Sequence, residues 1–130
     1  MEDNFLVQEK YEKYTETLRN RLSQFAVDII KLLMQIPFKR ELEVFKIQLS
    51  KSATAIGANF VEAQATSYKE FIQRMRIALR EANESGYWLC LLKSLAVVNP
   101  PEVSRLLNEC QEISKILGSI VSTADSRVER

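Results

Sequence analysis

The sequence predicts an all-α fold, an antiparallel up-down-up-down four-helix bundle. Three observations predict it. Apolar residues recur at three-and-four spacing through four long segments, which places them on one face of a helix. Breakers are scarce, with three Gly and three Pro in 130 residues, and two of the prolines adjacent. The breaks that do occur are short, and short connections between long helices make antiparallel neighbours.

The first helix is predicted from about Thr15 to Gln35, with Leu18, Leu22, Phe25, Ile29, Leu32 or Leu33, and Ile36 as its stripe. Pro37 stops it, because the residue before a proline is pushed away from helical geometry. Residues 1–14 either extend this helix or form a separate arm; the pattern allows both.

The second helix is predicted from about Arg40 to Ala65. Leu42, Phe45, Leu49, Ser52 or Ala53, Ile56, Phe60 and Ala63 make its stripe. Its centre is rich in small residues, Gly57 and Ala58 among them. A Gly inside a helix costs about 1 kcal/mol relative to Ala, and close approach of a neighbouring helix is the expected compensation.

Ser67 and Glu70 form a capping-box pattern that opens the third helix, which is predicted to reach about Val97. Its stripe is Phe71, Met75, Ala78, Ala82, Leu89 and Leu92. Tyr87 to Leu92 then run six apolar residues in succession. A helix apolar all round is a buried helix, and three sibling helices cannot cover every side. The expected cover is another copy of the chain, with Tyr87, Trp88 and Leu91 in the oligomer interface. The aromatic pair also has the chemistry to stack on bases, but inside an apolar run packing is the stronger reading.

Asn99, Pro100 and Glu102 suit the N-cap, first and third positions of the fourth helix. Val103, Leu106, Cys110, Ile113, Leu117, Ile120 and Ala124 continue its seam. Residues 15–124 thus form one bundle domain, and the polar tail 125–130 is expected to fray.

Function classes narrow quickly. No apolar window reaches the roughly 18 residues of a membrane span, and the acidic N-terminus lacks a signal-peptide pattern. A cytoplasmic location with no membrane partner is the expectation. Cys90 and Cys110 are expected to be free, buried thiols of a reducing compartment. The chain has no histidine, which removes the Glu-x-x-His pairs of di-iron bundles, the usual zinc sites and every His-based triad. No metal, cofactor or catalytic residue is expected.

Two polar groupings remain. Asn59, Glu62 and Glu81 flank the apolar stripes of the second and third helices. Paired carboxylates can perform acid–base work when burial separates their pKa values. Without a nucleophile, glycine-rich loop or lid beside them, a polar network across the helix interface, with Arg74 or Tyr87 as partner, is the better account. Lys69, Arg76 and Arg80 share one face of the third helix at spacings of seven and four. Such a ridge has the form to track RNA or DNA phosphates. The competing account is a solvated face with i,i+4 pairs such as Arg80 with Glu84. A net charge of +1 favours the second account.

Two blocks carry a resemblance. Ser52-Ala53-Thr54-Ala55-Ile56-Gly57-Ala58-Asn59-Phe60-Val61-Glu62-Ala63 is the first. The second runs from Ser67-Tyr68-Lys69-Glu70 to Arg80-Glu81-Ala82, followed by Glu84-Ser85 and Tyr87-Trp88-Leu89. Together they resemble a bacterial family of four-helix-bundle proteins, some encoded in intervening sequences of 23S rRNA genes. The resemblance covers roughly Leu18 to Leu117, with Thr54 where serine is usual. It implies an antiparallel bundle that assembles as a ring-like homopentamer and has no known enzymatic activity. The ribosomal-protein label of some members reads as an inheritance from gene position. A related branch, the accessory proteins of diversity-generating retroelements, is strongly basic and binds nucleic acid; this chain departs from it in charge.

Overall fold

A computed structural model describes residues 2–129, and the side chains of residues 4–127. Four helices follow in order: α1 (Glu2–Met34), α2 (Arg40–Ala63), α3 (Tyr68–Leu95) and α4 (Pro100–Glu129). Each packs against its neighbours in a closed square, α1 on α2, α2 on α3, α3 on α4 and α4 back on α1. This is the all-α antiparallel four-helix bundle that the periodicity predicts, and no strand occurs among the described residues.

The stripes converge as expected. Leu22, Phe25 and Ile29 of α1 meet Leu49 and Ile56 of α2, Met75 and Leu89 of α3, and Ile113 and Leu117 of α4, all with essentially no exposure. Each such side chain contributes about 1.5–3 kcal/mol through burial. Phe45, Phe71 and Ile120 are only partly buried at the edge of this core.

Local chemistry sets the helix ends. Tight bonds from Gln35 N–H to Leu32 O (3.0 Å) and from Ile36 N–H to Leu33 O (3.1 Å) close α1 just before Pro37. Ser67 Oγ accepts the Glu70 N–H at 3.4 Å, and Asn99 Oδ1 accepts the Glu102 N–H at 3.3 Å, so both predicted caps form. α3 ends at Leu95, two residues before the predicted end at Val97, and Ala96 caps it in the left-handed region, φ 52° and ψ 41°. Its N–H bonds to Leu92 O at 3.0 Å, and the reversal turns Val98 into the core.

Two terminal segments are more helical than the pattern required. α1 runs unbroken through the stretch for which extension and separate arm were both open. Val7, Tyr11 and Tyr14 continue the core stripe of Leu18 and Leu22, yet every described residue before Thr15 is exposed. α4 includes the 125–129 stretch expected to fray, while Arg130 lies outside the described residues.

The cysteines correct the sequence expectation in part. Both are free, but only Cys110 is buried and Cys90 is exposed. The Cys110 thiol donates to Ala82 O at 3.1 Å, and burial pushes its pKa up to about 12. It packs as a small apolar group and is a poor nucleophile.

Candidate functional site

The outer surface of α3 gathers most of the residues singled out by sequence. Lys69, Arg76, Arg80 and Tyr87 are all exposed, and their spacings of seven, four and seven align them in one row. The row is not uniformly available to a ligand. Arg76 is held by Asp125 of α4 in an ion pair, whereas no ion pair engages Lys69 or Arg80 among the described residues. The expected Arg80–Glu84 pair does not form. Glu84 instead acts on Glu81, whose carboxyl pKa is raised by burial first and by the neighbouring Glu84 charge second.

That placement separates Glu81 from the network predicted for it. Arg74 is the hub of the α2–α3 seam, reaching Glu62 at 3.0 Å and Asn59 Oδ1 at 3.4 Å. Asn59 also donates to Ala55 O at 2.8 Å. Glu81 takes no part and faces Glu84, Lys51 and Arg80. Both members of the Arg74–Glu62 pair are largely exposed, and such a pair contributes about 0–1 kcal/mol. It orients the seam and offers no acid–base chemistry.

The apolar run on α3 divides by position. Leu89 and Leu92 enter the core completely. Trp88 is half-buried against Phe45 of α2, edge to face at 5.6 Å. Tyr87 lies against Trp88 at 5.5 Å and is 59% exposed. Leu91 is half-buried and Leu95 exposed. The Trp88 indole N–H is buried without a hydrogen-bond partner, an arrangement that costs about 1–3 kcal/mol. Tyr87, Leu91 and Leu95 thus form a convex apolar ridge over an internally anchored Trp88.

Gly57 faces α1. A Cβ there would meet Leu22 Cβ at 3.6 Å, an ordinary contact, so the helices approach closely but not to the point of excluding alanine. Ala58 is exposed beside it.

Sequence reasoning missed the ion pairs that seal the α1–α4 seam. Arg21 binds Glu109 through two bonds of 2.9 and 2.7 Å, and Arg105 reaches Asp28 at 3.0 Å. Cross-helix register decides them, and no single-helix pattern encodes it. Also missed was a cleft of about 310 Å³ at the end of the bundle, between Tyr11, Tyr68, Phe71 and the last turns of α4. Among the described residues, no cluster of His, Cys, Asp or Glu is arranged to hold a metal ion. Among the same residues no helix is long and apolar enough to cross a membrane.

The family profile described as 23S rRNA-intervening sequence protein matches residues 6–119. The match begins well before Leu18, so it takes in part of the exposed first turns of α1. A crystal structure from Bacteroides thetaiotaomicron, described as a protein with unknown function from the S23 ribosomal protein family, is similar, with a TM-score of 0.73 and 35% identity. The similarity covers 80% of this chain and 97% of that one. No curated protein matches. Nothing in these relatives points to catalysis.

Proposed function

The chain belongs to the 23S rRNA-intervening sequence protein family, and from that premise we propose that it is a non-enzymatic, self-assembling protein whose working form is a homopentameric ring. One observation carries the self-assembly: exposed Tyr87 and Leu95, with half-buried Leu91 between them, form an apolar ridge on the outer surface of the bundle. Exposed apolar surface grouped this way marks an interaction site. Five is the copy number that the family resemblance implies. Light scattering at micromolar concentration tests it, with five times the 15.0 kDa chain mass expected. The mass of a single chain overturns the reading.

A second reading is favoured by Lys69 and Arg80, two exposed cations without an ion pair among the described residues, in line with Tyr87. A ring repeats that row in every copy, and avidity multiplies weak contacts without new ones. RNA or DNA is then the partner. A salt-sensitive shift of random-sequence RNA supports this reading, and no shift at low salt ends it.

A further inference from the structure

We propose, resting on the self-assembly reading above, that copies of this chain join through two different patches: a groove between α1 and α2 on one copy receives the Tyr87–Leu91–Leu95 ridge of the next.

The groove is an apolar, open side of the bundle. Val27, Ile30 and Met34 recur at three-and-four spacing along the outer surface of α1, and Met34 is 79% exposed. Ile47, Thr54, Ala58 and Val61 line the facing surface of α2, where Ile47 is 60% exposed. Between them lie open hollows of about 350 and 490 Å³, the second floored by Leu22, Ala26 and Gly57.

The other three seams each carry an ion pair between helices, although the α3–α4 seam also holds an open hollow of about 330 Å³. Arg21–Glu109 and Asp28–Arg105 close α1 to α4, Arg74–Glu62 closes α2 to α3, and Arg76–Asp125 closes α3 to α4. Among the described residues the α1–α2 seam has no ion pair. Its only cross-helix polar bond is Tyr11 to Gln64, at the far end. A solvated seam in this chain carries charge, so the seam without it is the one suited to exclude water.

Size and shape favour a second copy as occupant. From Val44 to Val61 the face is about 26 Å long, and two packed helices are about 20 Å wide. That is about 500 Å² in flat projection. With side-chain relief it approaches the roughly 800 Å² per partner that a specific interface buries. The second hollow has Ala26 and Gly57 beside Leu22 in its floor, whereas the ridge presents Tyr87 at 59% exposure.

A groove facing its own copy across a two-fold axis would leave the ridge uncovered, and a ring requires two unlike patches. Their placement suits closure. Phe45, two residues from Ile47, contacts Trp88 inside the ridge, and Ser52 meets Ser85, so the ridge stands level with the Ile47 end of the groove, and the hollows from Thr54 to Val61 lie further along α2. Bundles standing side by side around a closed ring must mate at one height. The α1–α2 side and the outer surface of α3 are also not back to back, so each docking step turns the chain of copies instead of extending a straight filament.

Two double variants test this. The groove variant carries Ile47→Glu and Val61→Glu; the ridge variant carries Tyr87→Glu and Leu95→Glu. All four positions are at least 47% exposed, so both variants should keep wild-type helicity by circular dichroism. Serine replaces glutamate at the same positions if either fails to fold. Each variant alone should run as a single chain. Mixed in equal amounts, they should form a one-to-one dimer and nothing larger, because the pair retains one intact groove and one intact ridge. A groove variant that keeps the wild-type mass overturns the proposal and leaves self-assembly standing. So does a mixture that stays monomeric. A wild-type protein that is itself monomeric removes the self-assembly reading, and this inference with it.

Discussion

Ser52 and Ser85 meet hydroxyl to hydroxyl at 2.8 Å across the α2–α3 interface, and neither has any exposure. Ser52 also bonds to Leu49 O at 3.3 Å. Each hydroxyl thus satisfies a group that burial would otherwise penalise. Ser52→Ala alone strands the buried Ser85 hydroxyl and should destabilise by about 1–2 kcal/mol, whereas Ser85→Ala leaves Ser52 its bond to Leu49 O and should cost less. The double variant removes both polar groups and should cost clearly less than the sum. Urea denaturation of the four proteins measures the coupling. Strict additivity would mean that the contact contributes nothing.

Gly57 separates conformational cost from packing need. The structure leaves room for one carbon, at 3.6 Å from Leu22 Cβ. Gly57→Ala should therefore stabilise by up to about 1 kcal/mol, the helix-interior penalty of glycine. A lower melting temperature would show that the two backbones tolerate no Cβ between them.

Ala96 presents the reverse case. It is the one non-glycine residue at positive φ among those described, and left-handed geometry costs an L-residue about 1–2 kcal/mol. Glycine is the usual residue at this position of a helix end. Ala96→Gly should raise stability by up to about 1 kcal/mol after the added chain entropy of glycine is offset. Thermal unfolding reads the sign directly.

Particular residues show why some of this was legible in sequence and some was not. Leu22, Phe25 and Ile29 were, because one helix's periodicity states which face is buried. Ser67 and Asn99 were, because a cap is a contact three residues away. Ser85 was not, since a polar residue on a core face makes sense only beside Ser52 on another helix. The grouping of Glu81 with Asn59 failed for the same reason: each flanks a stripe, but register across the α2–α3 interface gives Arg74 to Asn59, while Glu81 is left beside Glu84 of its own helix. The α1–α2 groove was hidden because Val27 and Ile47 look like scattered surface residues until the two helices are placed together.

Glu81 should give stability a distinct pH signature. Its raised pKa comes from burial and from Glu84, opposed by the weaker attractions of Lys51 and Arg80. The folded state thus holds this proton more tightly than the unfolded state. The resulting stability is fully present below the ordinary glutamate pKa and is lost as pH rises through the raised one. Glu81→Gln stays neutral throughout and should melt above wild type at pH 7, with the gap closing in acid. Asp28 works in the opposite sense. Burial is the largest single influence on it, yet bonds from Gln24 and Arg105 together hold its pKa below the usual value. That contribution is present above the ordinary aspartate pKa and lost only as pH falls through the depressed one. The comparison is therefore the difference between variant and wild type across pH, not either melt alone. A gap unchanged between pH 3 and pH 7 (roughly spanning the carboxylate range) would refute the account.

The outer row of α3 yields an unequal prediction for nucleic acid. Among the described residues Lys69 and Arg80 have no ion pair, whereas Arg76 is engaged by Asp125. Neutralising a free cation that contacts phosphate reduces the salt dependence of binding by about 0.7–0.9 per contact. A cation already paired must first give up its carboxylate, so its net contribution is smaller. If the row binds RNA, Lys69→Gln with Arg80→Gln should weaken binding and flatten the plot of log affinity against log salt. Arg76→Gln alone should change that slope much less. Asp125→Asn, which frees Arg76, should strengthen binding and steepen it. None of these side chains enters the core, so helicity and assembled mass should hold through the series. Equal slopes for all variants would mean that the row contacts no phosphate. Loss of assembly on neutralising Lys69 and Arg80 would place them in the contact between copies instead.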